Sequence, residues 1–288
     1  MKRGFILQYV SDLHLELRKI RNIPIIKPIK EGKTYLALCG DVGNPFLPTY
    51  KKFLDIHTDL FAHILIVAGN HEYYTSQKKQ RTMRQVDDEI YQIVAEYANV
   101  TYLNMDRIII GRTKFIGCPM WSDVSEIESI AENIMNDYKN IFIDSPGLEE
   151  RFIHAVYGYR IQKKFIKPNR RRLKASDVSL IHLRMRKWLQ TQIDKFDPTD
   201  KDRNYDRIII LTHHAPSYQM LDRSDLYSGC YATDCENMMG PPISHWISGH
   251  THVSKEVEIN ETICLSNCMG YPGQKVEGYE LTKYIMFS

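Results

Sequence analysis

The sequence predicts a layered α/β protein with mixed sheets, and two observations predict it. Strand-length apolar runs alternate with stretches of helical periodicity, which favours parallel pairing with crossover helices, and near the end a two-residue link joins two strand-like runs as a tight hairpin. The runs are Phe5–Val10, Thr34–Cys39, His63–Ala68, Arg107–Ile110, Lys114–Cys118, Arg207–Leu211, Lys255–Ile259 and Thr262–Ser266. Helical spacing of three to four residues links Met83, Val86, Ile90, Ile93, Val94 and Tyr97. It also links Val178, Ile181, Met185, Trp188, Leu189 and Ile193, with Ser176 as the expected cap. Asn260-Glu261 is the expected hairpin turn. Between about 123 and 174 the periodicity weakens and Pro146-Gly147 and Pro168 break it, so one domain spanning 1–288 is expected to carry an insertion or cap there.

Composition places the chain among ordinary globular proteins: 288 residues, 43% hydrophobic and 25% charged. No apolar run approaches the roughly 20 residues that span a bilayer, and Asp12 and His14 interrupt the N-terminal run before a signal peptide could form. No membrane partner is expected. The six cysteines contain no CxxC pair, and Cys39, Cys118 and Cys264 fall in or beside apolar runs, which fits buried thiols in a reducing, intracellular and cytoplasmic setting. The net charge of +3 hides a local excess, because residues 160–174 hold eight basic side chains and no acidic one, leaving the rest of the chain net acidic.

Five polar clusters follow apolar runs: Asp12-Leu13-His14, Gly40-Asp41-Val42-Gly43-Asn44, Gly69-Asn70-His71-Glu72, Thr212-His213-His214 and Gly249-His250-Thr251-His252. In α/β sheets the carboxyl ends of strands are where sites assemble. An extended backbone would put Asp12 and His14, or His250 and His252, on one side, and the glycines before Asp41, Asn70 and His250 would permit sharp turns. Each cluster alone has an ordinary explanation as a cap, a turn or a hydrogen-bonded histidine. Together they supply carboxylate, amide and imidazole, donors suited to Mn, Fe, Zn or Mg.

In this order the motifs resemble those of the calcineurin-like metallophosphoesterases. Gly117-Cys118-Pro119-Met120-Trp121-Ser122-Asp123, Asn136-Asp137-Tyr138, Trp188-Leu189, Thr212-His213-His214-Ala215-Pro216 and Ser266-Asn267-Cys268-Met269-Gly270-Tyr271 resemble one soluble branch of that superfamily. The resemblance implies a four-layered α/β/β/α sandwich of two mixed sheets flanked by helices. It implies two divalent ions, with manganese favoured among Mn, Fe, Zn and Mg. One ion would lie on Asp12, His14, Asp41 and His252, and the other on Asp41, Asn70, His213 and His250. His71 would face the substrate as general acid or phosphate-oxygen donor, and a hydroxide bridging the metals would attack a phosphate mono- or diester.

Around that set, Asn44 is expected to help position His71, and Asn44-Pro45 departs from the Asp-Arg of the Ser/Thr protein phosphatases at the same place. His214 is expected to orient a neighbour, contact phosphate or pack, and Tyr73 and Tyr74 are candidates for the pocket wall. A phosphorylated small molecule is the expected substrate. Two other readings compete: a nuclease using the basic segment 160–174 with Tyr157, Tyr159 or Phe165 as stacking platforms, and a non-catalytic interaction module, which the full set of ligand types disfavours. The motifs carry nothing about oligomeric state.

Overall fold

Runs such as Leu36-Ala37-Leu38-Cys39 are apolar at every position because both faces of their sheet are buried. In the computed structural model, which describes residues 4–76, 78–145, 169–200, 202, 204–222 and 224–287, Leu36 and Leu38 pack on one side of the strand while Ala37 and Cys39 pack on the other. Ile64 and Ile66 alternate in the same way with Leu65 and Val67, as do Ile208 and Ile210 with Ile209 and Leu211. One set of these residues joins two sheets face to face; the other meets the helices. An apolar run buried on both faces is the pattern expected of parallel strands covered on each side.

The first sheet contains β1 (Phe5–Val10), β2 (Thr34–Cys39), β3 (His63–Val67), β4 (Val100–Tyr102) and β13 (Tyr284–Phe287), in the order β13-β1-β2-β3-β4. The second contains β5 (Asp106–Ile110), β6 (Thr113–Cys118), β9 (Arg207–Thr212), β10 (Ile243–Ser248), β11 (Glu256–Ile259) and β12 (Thr262–Ser266), in the order β11-β12-β10-β9-β6-β5. Strands β1 to β4 pair in parallel, as do β6, β9, β10 and β12, whereas β13, β5 and β11 are antiparallel edges. The sheets are therefore mixed, and with the flanking helices they form the four-layered sandwich. Asn260 and Glu261 close the β11–β12 hairpin with φ of 48° and 65°, the left-handed pair that matches strand twist.

Helix α1 (Pro48–His57) starts on a proline and buries Tyr50, Phe53 and Leu54; proline suits a first helical position, where no N–H partner is needed. Helix α2 (Met83–Val94) buries Val86, Ile90, Ile93 and Val94, the expected stripe, and Gln85 returns to accept the Thr82 N–H at 3.1 Å. Short helices α3 (Glu128–Ile134) and α4 (Asp137–Asn140) follow β6, and a ribbon pairs β7 (Phe142–Ser145) with β8 (Asn169–Arg172). Helix α5 spans Ala175–Asp194, so Ser176 lies inside it; the Asp177 carboxylate accepts the Lys174 N–H at 3.0 Å at its start. Tyr157, Tyr159, Phe165 and the basic residues before Arg170 lie outside the described residues.

Candidate metal centre

The strands β1, β2, β3, β9 and β10 end at one edge of the sandwich, and each is followed by one polar cluster. Asp12, His14, Asp41, His250 and His252 all adopt left-handed backbone, with φ between 46° and 67°. A side-chain-bearing residue there carries strain that the surrounding structure must offset. The extended geometry expected for Asp12/His14 and His250/His252 is thus replaced by two left-handed residues around one neighbour, and the side chains still converge. Gly40 has φ of 85° and turns the chain as expected. Gly69 and Gly249 serve differently: a Cβ at Gly69 would collide with Asp41 Oδ1 and the His213 ring, and one at Gly249 would sit 2.7 Å from the Ser11 Cβ.

Six of the seven candidate ligands fall in three close groups, two of which contain Asp41. Asp12, His14 and His252 form one; Asp41, His213 and His250 form another, and Asp41 also lies with His14 and His71. Asp41 directs Oδ2 toward His14 Nε2 at 3.9 Å and Oδ1 toward His213 Nε2 at 3.4 Å. On the first side His14 Nε2 lies 3.2 Å from His252 Nε2, and His252 Nε2 lies 3.4 Å from Asp12 Oδ1. On the second, His213 Nε2 lies 3.1 Å from Asn70 Oδ1. Donors about 2.1 Å from one ion stand roughly 3.0–3.4 Å apart in octahedral or tetrahedral arrangements, so most of these separations fit an ion.

The outward ring nitrogens supply a second test of that fit. His14 Nδ1 donates to Glu16 Oε1 at 3.1 Å, His213 Nδ1 to the Cys39 carbonyl at 2.9 Å, His252 Nδ1 to Gln274 Oε1 at 2.7 Å and His250 Nε2 to the Cys230 carbonyl at 3.3 Å. Each ring thus commits one nitrogen outward and presents the other, the arrangement that orients metal-ligating histidines. The Asn70 amide is fixed likewise: Nδ2 donates to Asp137 Oδ1 at 2.8 Å, turning Oδ1 inward. Burial opposes ionisation of Asp41, yet His213 and His71 hold its carboxyl well below the usual range. Against its own burial, His213 is raised to about 10 by the Asp41 carboxylate, whereas burial pushes His250 down to about 3. Two buried carboxylates, Asp12 and Asp41, give the centre a demand for positive charge.

His71 stands at the rim. Its Nδ1 donates to Glu16 Oε1 at 2.9 Å, its Nε2 lies 3.3 Å from the Tyr271 hydroxyl, and the Tyr74 ring stacks on it at 4.3 Å. Asn44 does not reach His71: its Nδ2 donates to the Tyr74 carbonyl at 2.8 Å. Tyr73 points away, fully buried with its hydroxyl donating to Asp87 at 2.8 Å, while Tyr74 lines the cleft. His214 is buried between Trp121 and His250, ring centroids 5.2 and 4.1 Å away, and burial holds it neutral. The cleft beside the centre measures about 650 Å³, with Tyr74, Met135, Tyr231 and Tyr271 in its walls.

Two acidic residues that the motif reading left without a role are prominent. Glu72 Oε1 accepts the N–H groups of Val42 and Gly43 at 2.7 and 3.1 Å, and Oε2 those of Asp41 and Gly69 at 3.1 and 2.7 Å. Burial and Asp41 push Glu72 up to about 8, but four donors saturate both oxygens and favour the carboxylate. Glu16, two residues after His14, is the other. Their only signal in the sequence was position beside the histidines.

Two mixed sheets with helices outside them and a ring of Asp, Asn and His at the strand ends define a metallophosphoesterase-type protein. The family model described as calcineurin-like phosphoesterase matches residues 9–254, and the chain belongs to that family. An uncharacterized protein of Acanthamoeba polyphaga mimivirus is 28% identical, with 94% of this chain and 92% of that one covered. The crystal structure of a phosphopantetheinyl hydrolase from Mycobacterium tuberculosis matches with a TM-score of 0.61 and 14% identity over 95% of this chain and 92% of that one, a similarity of fold.

Proposed function

We propose that this phosphoesterase hydrolyses its phosphate mono- or diester at a centre for two divalent ions. Asp12, His14, Asp41 and His252 would hold one, and Asp41, Asn70, His213 and His250 the other. The observation that carries the reading is Asp41, whose two oxygens face separate histidine groups, Oδ2 at 3.9 Å from His14 Nε2 and Oδ1 at 3.4 Å from His213 Nε2. When bound, two such ions supply an activated water at neutral pH and positive charge for the phosphoryl oxygens.

The chain's own groups do the rest. His71 presents Nε2 toward the cleft and gives a proton to the departing oxygen, a role worth roughly 10²–10⁴ in rate. Tyr271 and Tyr74 hold the ring from two sides. Within the stretch expected as a cap, the described residues Met135 and Asn136 line the cleft and Asp137 orients Asn70. A cleft of about 650 Å³ suits a phosphorylated small molecule. In the basic segment, Arg171 gives its guanidinium to both oxygens of Asp177 at 2.6 and 2.7 Å, so that one of its eight basic side chains is already paired.

Purified protein would be stripped with EDTA, checked for residual metal, and reloaded with Mn²⁺, Fe²⁺, Zn²⁺ or Mg²⁺ before assay on mono- and diesters. Activity should vanish with the metal and return with it. Undiminished hydrolysis by demonstrably metal-free protein would refute the proposal.

A further inference from the structure

The residue at which the Ser/Thr protein phosphatases would place a carboxylate near the catalytic histidine is Asn44 here, and Asn44 is occupied elsewhere, with Nδ2 on the Tyr74 carbonyl and Oδ1 accepting the Phe46 N–H at 3.0 Å. The carboxylate that meets His71 comes from a different part of the chain. Glu16 follows β1 in the short helical turn Leu15–Leu17, and a single oxygen, Oε1, accepts from His71 Nδ1 at 2.9 Å and from His14 Nδ1 at 3.1 Å. The two rings lie edge to face with centroids 4.5 Å apart. Glu16 is 13% exposed and the His14 side chain fully buried, so the arrangement is packed in place rather than formed by a loose surface carboxylate.

We infer that Glu16 is a positioning residue shared by the two histidines, one carboxylate oxygen fixing the ring of the proposed general acid and the ring of a proposed metal ligand together. An N–H on Nδ1 places the second nitrogen of each ring inward: His14 Nε2 toward Asp41 and His252, and His71 Nε2 toward the cleft. Imidazoles with the outer nitrogen bonded to a carboxylate are held in one tautomer and orientation, and losing such a partner costs about 10–100-fold in metal affinity or activity. Because one oxygen serves both rings, a shift of Glu16 moves both, which couples metal retention to proton delivery. The inference rests on the function proposed above for His71 and His14.

The test compares Glu16→Ala with Glu16→Gln, whose amide oxygen accepts the same two bonds, in wild-type and His71→Ala backgrounds. Substrates are p-nitrophenyl and phenyl phosphate esters, of whichever ester class the protein turns over, at saturating Mn²⁺. Glu16→Ala should lower kcat about 10–100-fold for the phenyl ester, lower it less for the p-nitrophenyl ester, and weaken Mn²⁺ binding about 10-fold in direct titration. Glu16→Gln should restore most of each. In the His71→Ala background Glu16→Ala should add nothing to the loss in kcat, the non-additivity of residues acting as a unit. In wild-type protein with ¹⁵N-labelled histidine, once the ring is titrated to its neutral form, His71 should keep the remaining proton on Nδ1, and Glu16→Ala should lose that preference.

Unchanged phenyl-ester kcat and Mn²⁺ affinity in Glu16→Ala, or multiplying effects of Glu16→Ala and His71→Ala, would overturn the inference. If instead His71→Ala were as active as wild type, the proposed role of His71 would fall, while the histidine spectra and the Mn²⁺ titration would still decide whether Glu16 orients the two rings.

Discussion

The backbone N–H of Asp41 donates to the Glu72 carboxylate at 3.1 Å, so the proposed bridging ligand is held by the fourth residue of Gly69-Asn70-His71-Glu72. That carboxylate also takes the N–H groups of Val42, Gly43 and Gly69, tying the turn after β2 to the turn after β3. Glu72→Gln would set an NH₂ group against two of those donors. Two orphaned buried N–H groups cost roughly 2–6 kcal/mol, so urea denaturation should show a loss of that size together with weaker metal binding. A variant as stable as wild type would mean that Glu72 does not clamp the turns.

Away from the centre, Asp87 accepts the hydroxyls of Tyr73 and Tyr102, each at 2.8 Å, and burial raises it from 3.8 to about 6. A carboxyl raised in the folded state binds its proton more tightly there, so stability falls as pH climbs from about 4 through about 6. The shift from 3.8 to about 6 corresponds to roughly 3 kcal/mol at most. The stability of Asp87→Asn relative to wild type should therefore rise by up to that amount between pH 4 and pH 7 in denaturant titrations. A difference independent of pH would contradict the assignment.

The adjacent tyrosines separate packing from recognition. Tyr73→Phe, losing a buried hydroxyl bonded to Asp87, should lower stability by about 1 kcal/mol and leave KM unchanged. Tyr74→Ala removes the ring stacked on His71 at the cleft wall and should change KM or kcat several-fold with little effect on metal content. Steady-state kinetics beside thermal unfolding would check both; altered kinetics in Tyr73→Phe alone would reverse the roles.

Much of the sandwich was legible because buried parallel strands read as unbroken apolar runs: Phe5–Val10, Thr34–Cys39 and Thr262–Ser266 coincide with β1, β2 and β12. Strand β10 escaped because Ser244 and His245 interrupt its apolar pattern, and β4 because three residues make no pattern. Helix α1 begins Pro-Thr-Tyr-Lys-Lys and has too short an apolar stripe to stand out. The polar clusters were legible by composition, but the left-handed turns that aim Asp12 and His14 were not, since backbone φ leaves no trace in an Asp-Leu-His triplet. Glu16 and Glu72 were hidden for a related reason: what each carboxylate joins to its own neighbourhood, His71 for Glu16 and the Asp41–Gly43 turn for Glu72, lies 55 and about 30 residues away along the chain.

The proposed two-ion centre, with Asp41 between its halves, is tested most directly by counting metal. Elemental analysis of Mn²⁺-loaded protein should find two ions per chain in wild type, and Asp41→Asn should lose bound metal and hydrolysis together. Two retained ions with full metal-dependent activity in Asp41→Asn, or a single ion in fully active wild-type protein, would contradict it.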